Sequence, residues 1–211
     1  MESHLRQKGV AKVIPVTLQP EPDDFDVQVR QKGHTWLESK GIALDAAPPK
    51  ASNLPNYWSW SNKRLWEAYS GVCAYLSIFF EWSTGAGSTD HFIAKSMEAG
   101  AAYEWSNYRL SCLGPNRNKN KFDDVLDPIG LDPETFVINF GSGKVTPNPG
   151  LGADQKNAAR KTIRRLQLDS PENNKMRAQH YSDYVSGDCT LDYVSRNSPF
   201  VHAEIVRQGL E

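Results

Sequence analysis

An α+β fold is predicted by three features of this sequence. Two short stretches have strand character, a Gly-Pro pair follows the second, and longer segments of helical spacing lie on both flanks. Taken in order, residues 27–39 read as a short helix after the acidic, proline-containing stretch 19–26, and an Ala-Pro-rich linker, 46–55, follows. Residues 61–69 read as a second helix with Leu65, Trp66, Ala68 and Tyr69 on its apolar side. Ser61 is placed to cap its start and Gly71 to follow its end. Residues 88–93 come directly after the turn-forming run Thr84, Gly85, Ala86, Gly87 and are β-branched and aromatic, which predicts a strand. Tyr108–Cys112 alternates large apolar with polar residues and is its predicted partner. Gly114-Pro115 ends that strand, and proline at a first helical position suits a short helix over 116–122. After a loop at 141–152, residues 153–168 place Ala159, Ile163 and Leu166 at helical spacing. Residues 176–185 and 201–208 predict two more helices. Three zones result: an N-terminal extension and linker (1–55), a central core (56–140) and a C-terminal helical region (141–211).

The predicted strand–strand–helix unit carries the chemistry. Asp90 and His91 lie on its first strand, Asn107 just before its second, and Asn116 at the start of its helix. Phosphodiester hydrolysis needs an activated water, charge relief on the phosphate and help for the leaving 3′-oxygen, and one divalent ion can serve the last two. A hard ion such as Mg²⁺ uses one or two carboxylates, several waters and the substrate phosphate. Asp90 and the Asn116 amide oxygen fit that demand, His91 is the candidate base, and Asn107 is the candidate group for orienting its imidazole. Asn118 is close enough in sequence to be the ligand in place of Asn116.

At these residues the sequence resembles the HNH nuclease superfamily, in the order Asp90-His91, Asn107, Asn116. Phe92, Lys95 and Ser96 match the D-H-F-x-P-K-S extension of one branch. The wider run 69–128, with A-Y-E-W-S-N-Y-R-L and D-D-V-L-D-P, is similar to HNH proteins of bacterial anti-phage operons, those of type II Zorya first and of Septu and related retron systems second. The resemblance implies a ββα-metal core with flanking helices and a Mg²⁺- or Mn²⁺-dependent DNA endonuclease, most simply a nickase. It also implies partner proteins from a defence operon, a membrane-anchored motor for Zorya or an ATPase for Septu.

Two departures from the family pattern stand out. Many members hold this core with a zinc bound by two Cys-x-x-Cys pairs. Here Cys73 and Cys112 stand at the first cysteine of each pair, but Leu76 and Pro115 stand at the second and cannot ligate, so no structural zinc is expected. Apolar contacts around Leu76, Ile78, Phe79 and Phe80 would take its place. Ala94 stands where that branch has proline.

Ordinary roles compete for the same residues. A histidine on a strand can be structural, Asn107 can close an Asx turn, and Asn116 can start a helix. Lys95, Arg109, Arg117 and Lys119 either touch phosphate or are merely solvated. On the helix predicted over 153–168, Lys156, Arg160, Lys161, Arg164 and Arg165 form either a phosphate-tracking face or an ordinary wet one. Trp58 and Trp60 either stack on bases or belong to the core. Asp123, Asp124 and Asp127 either add an outer contact to the metal or serve turns.

Composition sets the outer limits. A chain of 211 residues can bury one real core, and its net charge of −1 does not advertise nucleic-acid binding, so any affinity for DNA must come from local patches or a partner. Three cysteines without paired spacing, and no recognisable signal peptide, predict a reducing cytoplasmic setting. The longest apolar stretch, 72–80, is far too short to span a bilayer, so no direct membrane insertion is expected. A non-catalytic DNA-binding or adaptor protein with the same fold, and a stand-alone nuclease toxin, are the competing functional readings.

Overall fold

The computed structural model describes residues 16–211; the first fifteen residues of the predicted N-terminal extension lie outside the described residues. The architecture is mixed α+β, with seven α-helices and two small antiparallel sheets among the described residues. No helix among them is long and apolar enough to cross a membrane.

A π-helical turn at Asp26–Arg30 runs into α1 (Gln31–Ser39). Arg30 holds it in place by pairing with Glu21, Asp26 and Glu104, the last at 2.9 Å. Phe25, Val29 and Leu37 are fully buried and join the central core, so the extension is stitched onto the middle of the chain. Two long-range bonds fasten it further. The Trp105 indole donates to the Gln19 carbonyl at 2.8 Å, and the Tyr103 hydroxyl donates to the Pro55 carbonyl at 3.1 Å. Gly33 on α1 lets the Tyr103 ring approach so closely that a Cβ there would lie 2.2 Å from a ring carbon.

α2 spans Asn62–Ala68. Ser61 does not cap it: a 3₁₀ turn at Tyr57–Ser61 leads straight in, which leaves Ser61 in helical rather than extended backbone geometry, its hydroxyl buried without a partner. The predicted stop near Gly71 is real, with Ser70 and Gly71 both at positive φ and the Gly71 amide bonded to the Trp66 carbonyl. The irregular segment that follows packs inward through Cys73, Leu76 and Phe80.

β1 is Gly87–His91 and β2 is Tyr108–Cys112; they pair antiparallel with Asp90 opposite Arg109 and His91 opposite Tyr108. β1 therefore ends two residues earlier than predicted, because Phe92 and Ile93 turn into the connecting loop. Thr89 ties β1 to α2 through a 2.7 Å bond to the Asn62 amide oxygen. α3 (Leu113–Lys119) starts immediately after β2, earlier than the predicted first residue at 116.

The C-terminal half differs more from expectation. Phe136–Asn139 and Lys144–Pro147 form an unpredicted hairpin, β3–β4. It is followed by α4 (Ala153–Leu166), α5 (Pro171–Val185), α6 (Leu191–Asn197) and α7 (Pro199–Arg207). α5 starts well before residue 176 because the Ser170 hydroxyl caps the Asn173 amide and proline occupies the first turn. α6 went unpredicted, although Thr190 caps it in the same way. Ile138, Val145, Val194, Val201 and Ile205 make a second, smaller core.

Candidate active site

The central core brings Asp90, His91 and Asn116 to one cleft of about 600 Å³, whose walls also include Trp58, Lys95 and Arg117. The local sequence explains the meeting. Side chains alternate along a strand, so Ser88 and Asp90 share one face of β1, while Asn116 and Lys119 lie one helical turn apart on α3. The Asn116 amide nitrogen donates to the Ser88 hydroxyl at 3.0 Å, which leaves its Oδ1 as the uncommitted end. The Lys119 ammonium donates to the His91 carbonyl at 2.8 Å and lies 3.3 Å from the Asp90 carboxylate. α3 therefore runs along β1 in the same direction, pinned at two points.

Asp90 is 2% exposed. Burial raises its pKa, opposed by the Lys119 charge and by the Tyr75 hydroxyl, which donates to Oδ2 at 2.5 Å. Nothing about the irregular segment holding Tyr75 marked that residue in the sequence.

His91 is 8% exposed and boxed by aromatic edges, with the Trp58 ring 5.0 Å and the Tyr108 ring 5.2 Å away. Its Nε2 lies 3.1 Å from the Ala102 carbonyl oxygen. A carbonyl only accepts, so Nε2 carries the proton and Nδ1 keeps the lone pair. Desolvation first, then the Lys95 and Lys119 charges, pull its pKa down to about 3, against the pull of the Ala102 carbonyl. The imidazole is neutral at pH 7 and is the form a general base requires.

Asn107 does not touch the imidazole, contrary to the role predicted for it. Its Oδ1 accepts from the Ile93 amide at 2.7 Å, and its Nδ2 donates to the carbonyls of Ile93 at 3.0 Å and Ala101 at 2.8 Å. It clamps both ends of the loop between the strands. Because Ala101 precedes the carbonyl that fixes His91, its influence on the imidazole is exerted through the backbone.

The predicted phosphate contacts divide. Lys95 lines the cleft with its ammonium 4.1 Å over the Trp58 ring, and burial lowers its pKa. Arg117 is exposed on the same cleft, as is Lys121, which the sequence did not single out. Arg109 is a correction. It is 5% exposed and holds Asp127 bidentately at 2.7 and 2.6 Å, a strut with no face toward a phosphate. Lys119, fully buried under Asp90, is another. Asn118 directs its amide nitrogen at the Leu166 carbonyl, 3.4 Å away, and borders a groove with Lys161 and Arg164, whereas Asn116 lines the cleft. Arg160 and Arg164 are exposed on α4. Asp124 and Asp127 are engaged by Arg165 and Arg109, and neither lines the cleft.

Cys73 and Cys112 meet beneath the hairpin, the Cys112 amide donating to the Cys73 sulfur at 3.2 Å. Leu76 and Pro115 are both buried beside them. Burial pushes the Cys73 thiol up, but the Cys112 thiol and the amides of Cys112, Leu76 and Tyr75 outweigh it and bring it to about 7. Among the described residues, no group of three or more His, Cys, Asp or Glu side chains is arranged to hold a metal ion. The oxygen donors at the cleft, one carboxylate and one amide, still suit a hard divalent cation that keeps waters and takes substrate oxygen. No family model matches this chain, and no curated protein matches it.

Proposed function

We propose that this chain is a metal-dependent DNA endonuclease of the HNH kind, a nickase that leaves a 5′-phosphate and a 3′-hydroxyl. The observation that supports it best is the state of His91. Its Nε2 is committed to the Ala102 carbonyl, its Nδ1 keeps a free lone pair, and it shares a cleft with Asp90 and Asn116. In this reading Nδ1 takes the proton of the attacking water, and Asn107 keeps the imidazole aimed by fixing the loop that carries Ala102. Lys95 and Arg117 bind the phosphates that flank the scissile bond. Asp90 and Asn116 would hold Mg²⁺ or Mn²⁺, which when bound relieves the phosphate charge and supports the leaving oxygen. One cleft cuts one strand, so a monomer nicks and a double-strand break takes two events.

The biological setting rests on the resemblance alone. It is anti-phage defence in the cytoplasm, beside a motor or ATPase partner, with type II Zorya ahead of Septu. The competing reading, a non-catalytic DNA-binding or adaptor protein, draws on one observation: the Asp90 carboxylate already has partners in Tyr75 and Lys119. Supercoiled plasmid decides between them. Nuclease action predicts open circles with Mg²⁺ or Mn²⁺ and none with EDTA, and a loss of about 10²–10⁴-fold in rate for His91→Ala. Asn116→Ala should also fail to cut, and Asn118→Ala should not. DNA binding that leaves the plasmid intact in both metals would favour the adaptor.

A further inference from the structure

We infer that Lys119 is a positioning residue that presets the separation of Asp90 from Asn116 and so builds the pair of oxygens a divalent cation would enter. The inference rests on the metal-site reading above. Lys119 is 0% exposed, although it is the last residue of a short helix that follows an edge of the cleft. A lysine ammonium stripped of water needs fixed acceptors. It finds them on two consecutive residues, the carbonyl of His91 at 2.8 Å and the carboxylate of Asp90 at 3.3 Å, and the same ammonium lies over the Phe92 ring, 5.6 Å from the centroid. One nitrogen thereby fixes the backbone of the base and the side chain of the metal-binding carboxylate.

The register of helix against strand adds the second half of the argument. Asn116, one turn before Lys119, bonds Ser88, two residues before Asp90 on the same face of β1. Three helical residues advance about 4.5 Å and two strand residues about 6.6 Å, and the long lysine side chain spans the difference. With both ends held, α3 can neither slide along β1 nor roll on it. Without Lys119, the Asp90 carboxylate keeps only the Tyr75 hydroxyl, and the one remaining side-chain bond from α3 to β1 is that of Asn116, the very side chain that must also present its oxygen to the cation.

A buried ammonium beside a metal-binding carboxylate could also act as a resident competitor, and the two roles predict opposite signs. The test is Mn²⁺ titration by calorimetry on the full chain without DNA, with near-ultraviolet circular dichroism as the measure of fold. Lys119→Met should stay folded and lose about 10–100-fold in Mn²⁺ affinity, as removal of a group that orients a ligand does. In Lys119→Ala, propylammonium should restore part of that affinity, which a lysine that only fills space would not allow. Asn118→Ala should bind Mn²⁺ as the wild type does. Unchanged or tighter Mn²⁺ binding in Lys119→Met would overturn the inference, and so would failure of both Lys119 variants to fold, which would make the residue a plain core element. A folded wild type that takes up no Mn²⁺ would instead sink the metal-site reading, and this inference with it.

Discussion

Each of the two cores contains a buried carboxylate, and the two are built to different ends. Glu204, 0% exposed on α7, accepts from the Ile138 amide at 2.9 Å, from Arg207 at 2.6 and 2.8 Å, and from Gln208 at 3.3 Å. Every contact ties α7 to itself or to β3. Asp90, 2% exposed, has a fully buried lysine and a tyrosine as partners, lines an open cleft and adjoins a neutral imidazole. Burial and ion pairing alone therefore do not mark a site. What separates the two is the open wall beside Asp90 and an imidazole held in one tautomer on the next residue.

The contrast breaks most sharply in stability. Asp90→Ala strands a buried ammonium with no carboxylate, and urea denaturation should show a loss of about 3–5 kcal/mol. Glu204→Ala should lose less, about 1–3 kcal/mol, because Arg207 is one-third exposed and can turn to water while the Ile138 amide is left unpaired. Equal losses would mean that Lys119 also escapes to solvent.

Acid sharpens the comparison next. The unfolded chain protonates His91 near pH 6.5, whereas the folded chain holds it neutral down to about 3. Between those values the unfolded state binds the extra proton, so stability falls as pH drops through this window, by up to about 1.4 kcal/mol per unit. His180 in the second region, its pKa lowered by burial against the pull of Asp183, contributes in the same direction. Denaturation at pH 7 and pH 5 should show a steeper decline for the wild type than for His91→Ala. Identical slopes would mean that the imidazole is not shielded in solution.

The smallest expected effects are on surface charge. If the exposed face of α4 tracks phosphates beside the cleft, Arg160→Ala and Arg164→Ala should each lower the salt slope of DNA binding by about one. Nicking of plasmid at low salt should persist in both. An unchanged slope would leave that helix as ordinary wet surface and confine DNA contact to Lys95, Arg117 and Lys121.

The hairpin at the centre was legible because its signals are local. Tyr108–Cys112 alternates cleanly in residue type, and the Gly-Pro pair behind it falls in the first turn of α3, where proline is tolerated. In the β3–β4 hairpin only Lys144–Pro147 alternates, and at four residues it is lost in the loop at 141–152, while Phe136–Asn139 puts three apolar residues in a row and offers no alternation to read. The identity of the cleft residues could be read, but not their partners. Arg109 and Lys119 look like surface cations in one dimension. Only the fold sets Asp127 against the first and Asp90 over the second. Asn107 was expected to orient the imidazole itself, but a bond to Ala101, one residue before the carbonyl that holds His91, leaves no trace in residue types. Tyr75 reaches the site from an irregular segment and Trp58 from a short 3₁₀ turn, where no long periodicity predicts direction.

The glycine under Tyr103 has a consequence in the language of genetics. A methyl group at position 33 would collide with a ring that leans on Trp58, which in turn borders His91. Gly33→Ala should therefore behave as a conditional allele. The chain would fold in the cold, while the native packing would be lost on warming, although the lesion lies far along the sequence from any residue of the cleft.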